Sequence, residues 1–135
     1  APAITHRHLD THCRTPAPKD GDDQVTRWSN EDGHIATCGW IFPYRESFTR
    51  ENLEIVFGLL TSPGPILPHG ALRIKGIFRL DTGFELVNAD ADGVHWEPLA
   101  EQKDSRVEII TEAQPEPNWR ALEVSFMSAT RPIPH

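Results

Sequence analysis

The chain has 135 residues, enough for one domain around a single core. Its 12 prolines argue against a helical bundle, and its net charge of −7 argues against a protein that tracks a phosphate backbone. No apolar run approaches the ~20 residues that span a bilayer, and no signal-peptide pattern opens the chain.

Two cysteines cannot build a disulfide framework, which points to free thiols in a reducing, cytoplasmic compartment. The start at Ala1-Pro2, without an initiator methionine, is expected of a processed product or a piece of something longer.

Residues 1–33 hold only Ile4, Leu9, Val25 and Trp28 as large apolar side chains, among charges, prolines and short polar residues. Such a segment cannot bury enough surface to offset its ordering entropy, so it is expected to be a flexible, histidine-containing linker or tail. Trp28 could anchor its last residues onto the domain, which is expected over 34–135.

His34 to Phe42 is β-branched and aromatic and stops at Pro43, which predicts a strand. Thr49 offers an N-cap with Glu51 in the first turn, and Leu53, Val56, Phe57 and Leu60 share one helical face. Ser62-Pro63-Gly64-Pro65 ends that helix.

From Ala71 to Leu80 a second strand points Leu72, Ile74, Phe78 and Leu80 one way and Arg73, Lys75 and Arg79 the other. Asp81-Thr82-Gly83 signals a hairpin into Phe84–Val87, and a turn at 90–93 leads into Val94-His95-Trp96. Arg106 to Ile110 reads as one more strand, and Pro117-Asn118 opens a last helix carrying Trp119, Leu122 and Phe126. The order implies an α+β fold with a mainly antiparallel sheet and helices on one face, ferredoxin-like or related.

His6, His8, Asp10, His12 and Cys13 form the densest set of metal-ligand side chains. Alternate residues of an extended segment project to one side, so His6, His8, Asp10 and His12 could converge on zinc, cobalt or nickel. The segment departs from the H-x-H-x-D-H signature of metallo-β-lactamase-fold hydrolases, because Thr11 separates Asp10 from His12. His34 and Cys38 lie ~13 Å apart along a strand, too far to share an ion, and Cys38 reads as a small buried hydrophobe.

No phosphate-cradling loop, dinucleotide fingerprint or nucleophile elbow is present, so catalysis by this chain is not expected. An enzymatic alternative would have to use Glu85, Asp90 or His95. Arg73, Lys75 and Arg79 make a basic stripe, suited either to solvation or to contact with an acidic partner or neighbouring domain. Trp96 and Trp119 read as core.

Four words along the chain resemble the CobW C-terminal domain, over roughly residues 34–129. Leu72-Arg73-Ile74-Lys75-Gly76-Ile77 is similar to its L-R-x-K-G strand, and Phe42–Leu60 to its strand-to-helix segment. Trp96, then Asp104-Ser105-Arg106-Val107-Glu108-Ile109-Ile110, resembles its tryptophan followed by D-x-R-x-x-x-I. Glu97 to Lys103 departs from the family by being polar, and the family's Walker and C-x-C-C motifs are missing.

The resemblance implies a non-catalytic accessory domain of a GTP-dependent metallochaperone. GTP would bind only in a separate N-terminal domain, and residues 1–33 would end a histidine-rich linker. The implied partners are a GTPase domain in cis or trans and a metalloprotein client, with neither nucleic acid nor membrane. The alternative is a stand-alone protein-interaction or small-ligand-binding module with no metal role.

Overall fold

The computed structural model describes residues 24–130. Its elements in chain order are β1 (Thr26–Asp32), β2 (Ile35–Phe42), α1 (Arg50–Leu60), β3 (Arg73–Leu80), β4 (Gly83–Asp90), β5 (Gly93–Pro98), β6 (Ser105–Glu112) and α2 (Trp119–Met127). The six strands form one sheet in the order β1-β2-β6-β3-β4-β5, and every pairing is antiparallel. The fold is α+β.

β2 and β3 both run antiparallel to β6, which lies between them, so β2-α1-β3 is a split β-α-β unit. Ferredoxin-like folds share that unit. Here the chain first makes the meander β3-β4-β5, and only then does β6 return to the middle slot.

Among the described residues the first element starts at Thr26, ahead of the expected boundary at His34. β1 pairs with β2 along its whole length, from Thr26 opposite Ile41 to Asp32 opposite Ile35. A two-residue turn joins them, with Gly33 at φ 64°, a backbone region that glycine enters without a Cβ penalty. The other element positions follow the hydrophobic pattern closely.

Both helices are capped as their sequences require. Thr49 Oγ1 accepts from the Asn52 N–H at 3.2 Å, and Asn118 Oδ1 accepts from the Ala121 N–H at 3.0 Å. Leu53, Val56, Phe57 and Leu60 of α1 are buried, as are Leu122 and Phe126 of α2. They meet the sheet on one face only.

At the centre of that face Phe78 contacts Phe48, Phe57 and Phe126, and Trp40 contacts Phe126 and Trp119. Two tryptophans of the sheet also donate to helix carboxylates: Trp40 Nε1 to Glu123 at 3.1 Å and Trp96 Nε1 to Glu54 at 2.8 Å. Trp96 and Trp119 pack against the core at its edge.

Gly76 lies beneath the Phe78 ring. A Cβ there would stand 2.6 Å from a Phe78 ring carbon and 3.0 Å from the Arg106 carbonyl oxygen. Phe78 is completely buried among other rings and has nowhere to go. Leu72, expected on the dry side, precedes β3 and is exposed.

Gly76→Val should therefore cost about 2–3 kcal/mol of unfolding free energy. Gly58→Ala, in open space on α1, should gain about 0.8–1 kcal/mol through helix propensity. Urea unfolding midpoints of the two variants would move in opposite directions.

Candidate functional site: the helix-free face of the sheet

With both helices on one side, the alternate side chains of all six strands face the other way. Register aligns Trp28, Gly39, Glu108, Lys75, Asn88 and His95 as one row across that face, from β1 to β5. The row on one side contains Ile41, Arg106, Ile77 and Leu86. The row on the other contains Thr37, Ile110 and Arg73.

This face is not a simple wet surface. Every residue of β2 from Ala36 to Phe42 is buried, so the strand is shielded on both sides. Glu108 is 1% exposed, Ile41 3% and Trp28 6%. Ile77, Leu86 and Ile110 are half-buried.

Gly39 is what lets Trp28 lie flat. A Cβ on Gly39 would fall 2.1 Å from an indole carbon, so the ring occupies the place of the missing side chain. The indole N–H has no hydrogen-bond partner although it is buried. Such a donor costs roughly 1–3 kcal/mol until something accepts from it.

The basic stripe reaches this face, but its members differ in use. Arg79 Nη1 donates to the carbonyls of Tyr44 and Arg45, at 3.0 and 3.4 Å, and its guanidinium stacks 4.5 Å from the Tyr44 ring centroid. Arg79 thus holds the loop after β2, a structural duty that strand alternation alone could not reveal. Arg73 Nη2 donates to Asn88 Oδ1 at 2.9 Å.

Lys75 lies between Arg73 and Glu108. Burial, and then the Arg73 guanidinium, pushes its ammonium below the usual lysine range, while Glu108 works in the opposite direction. Arg106 is balanced by Asp104 at 2.8 Å.

One end of the face is closed by loops. Tyr44 packs on Phe84, its hydroxyl donates to Glu101, and Leu99 N donates to the Phe84 carbonyl at 2.9 Å. The bond to Glu101 holds the Tyr44 phenol above its ordinary value, with partial desolvation and the negative charge of Glu101 acting in the same sense.

The residues of the enzymatic alternative are not brought together. Glu85 faces the helices, where Arg50 donates to it and stacks over Trp96 at 4.9 Å. His95 projects from the opposite face, and Asp90 ends its hairpin by accepting from the Asp92 N–H at 2.8 Å. Cys38 is fully buried on the helix side, as its sequence context suggested.

His6, His8, Asp10, His12 and Cys13 lie outside the described residues. Among the described residues no group of three His, Cys, Asp or Glu side chains is placed to hold a metal ion. Nor is any helix among them long and apolar enough to cross a membrane.

No family model, curated protein or solved structure matches the chain.

The chain contains one tyrosine, so ultraviolet titration of the phenolate reads Tyr44 alone. The midpoint should lie above 10.0, and Glu101→Gln should lower it by removing both the acceptor and its charge. Because the folded state holds this proton longer, stability should fall as pH rises past the unfolded value. An unchanged midpoint in the variant would dissolve the Tyr44–Glu101 contact.

Proposed function

We propose that this chain is a non-catalytic docking domain of the CobW C-terminal kind, working in the cytoplasm beside a P-loop GTPase domain in cis or trans. Its helix-free sheet face receives the partner. The observation that supports this reading is that both helices pack on one face of the sheet, while the other face keeps half-buried Ile77, Leu86 and Ile110 beside the cationic Arg73 and Lys75.

Ile77, Leu86 and Ile110 provide apolar contact beneath a charged surface, the usual combination of an interface core and its rim. Arg73 and Lys75 favour an acidic partner surface, and discharging their mutual repulsion adds to specificity more than to raw affinity. The words that resemble the CobW domain fall on α1, β3, β5 and β6, of which the three strands contribute to this face.

His6, His8, Asp10, His12 and Cys13 would supply the metal-handling part. Imidazole, carboxylate and thiolate together suit zinc, cobalt or nickel, carried as cargo toward a metalloprotein client.

Two measurements test the reading. Arg73→Glu with Lys75→Glu should leave the melting transition in place and weaken binding to a CobW-type GTPase domain at least tenfold. Equal affinity would assign the stripe to solvation alone. Calorimetric titration of zinc and cobalt should show micromolar or tighter binding that disappears when His6, His8 and His12 are all replaced by alanine. Metal affinity retained by that variant would remove these residues from the proposal.

A further inference from the structure

The two edges of the sheet are built differently. Among the described residues β1 and β5 are the end strands, and each turns a row of backbone N–H and C=O groups outward. β5 ends on Pro98, which has no N–H to offer a neighbouring strand. β1 contains no proline and no lysine. It pairs residue for residue with β2 from Thr26 to Asp32, so no bulge twists it away. What β1 does carry is charge, in an arrangement that is complementary to itself.

Arg27, Ser29 and Glu31 alternate onto the helix side of the sheet, and Trp28 lies on the other side with Asn30. Arg27 and Glu31 are both exposed. Across the strand pair Arg27 faces Trp40 and Glu31 faces Ala36, so β2 offers neither of them an opposite charge. A second β1, run antiparallel along the outer edge, offers both. Facing residues must lie on the same side of the joined sheet, so only registers in which their numbers add to an even sum are allowed. Centred on Ser29, the pairing sets Arg27 opposite Glu31 of the second copy and Glu31 opposite its Arg27. Centred on Trp28 or on Asn30, it sets one of these charges against Ser29 instead.

We propose that β1 is the interface of a twofold homodimer, in which two six-stranded sheets join edge to edge with Ser29 on the axis. The occupant is a second copy because the cation and the anion stand equally far from Ser29 on either side, and reversing the strand exchanges them. Backbone hydrogen bonds supply the adhesion, and the two Arg27–Glu31 pairs select the register. Each copy spends its open edge on the other, so assembly closes at two subunits instead of growing into a fibre. The axis stands perpendicular to the sheet. It leaves the helices of both copies on one side and both helix-free faces on the other, whatever those faces bind.

Sedimentation equilibrium of the full chain over a dilution series tests this. The parent should weigh twice its 15.2 kDa and dissociate on dilution. Arg27→Glu turns two opposite-charge contacts into two like-charge contacts, and Glu31→Arg does the same. Each variant alone should therefore self-associate at least about tenfold more weakly. Mixed in equal amounts, the two variants should pair with each other at close to the parent affinity, because each supplies the charge that the other needs. This rescue also separates a lost interface from a lost fold.

A parent chain that stays at 15.2 kDa up to millimolar concentration overturns the proposal, and so does a dimer indifferent to both substitutions. A mixture no tighter than either variant alone overturns the register centred on Ser29.

Discussion

Everything in this domain is arranged around the contact between the Phe78 ring and the backbone of Gly76. A glycine in a central strand costs conformational entropy and leaves a hole in the pleated surface. Phe78, two residues on and on the same face, fills the hole with its own ring and so lies low against the sheet. Phe57 of α1, Phe126 of α2 and Phe48 of the loop before α1 all rest on that ring. One close approach thereby sets the height at which both helices sit. It also makes a two-layer domain of modest size pack densely, because three elements share a single aromatic hub.

A second glycine repeats the device on the opposite face. Gly39 carries Trp28 as Gly76 carries Phe78, except that the ring comes from the neighbouring strand. The effect is to make β2 the thickest part of the sheet, buried on both sides, and to pin an otherwise polar edge strand. β1 has the sequence TRWSNED, and Ser29 to Asp32 are exposed on both faces. Without the indole over Gly39 little apolar surface would hold that strand in register, since register is weakly specified where both faces are polar. Trp28 therefore stands at the junction of two roles, as the anchor of β1 and as the floor of the helix-free face.

This explains what could be read from the sequence and what could not. Elements with one dry face announce themselves, because the core imposes a period of 3.6 or 2 on their side chains. The Leu53–Leu60 face and the Ile74, Phe78, Leu80 alternation were visible for that reason. β1 lacks any such period, being at the edge with a single large apolar residue. The signal that marks it is local: Asp32-Gly33 is a hairpin dipeptide, and it lies between Trp28 and the obvious strand that follows.

Side-chain duties on the helix-free face were less legible still. Arg73, Lys75 and Arg79 look equivalent along the strand, yet Arg79 is spent on the carbonyls of the Tyr44 loop. That choice depends on where a loop 35 residues away returns, and spacing along one strand says nothing about it. Glu108 likewise reads as an ordinary wet-side carboxylate and turns out to be buried in the central row.

The position of β1 also changes how the histidine-bearing segment relates to the domain. Had the fold begun at His34, residues 1–33 would be one linker, separable from the domain without consequence. Because β1 is the sheet's edge, the segment ahead of it joins the domain on the strand that carries Trp28. Val25, just ahead of β1, packs against the helix-side core. On the proposed reading, a metal ion held by His6, His8, Asp10 or His12 would be carried on a chain that enters the sheet at this edge.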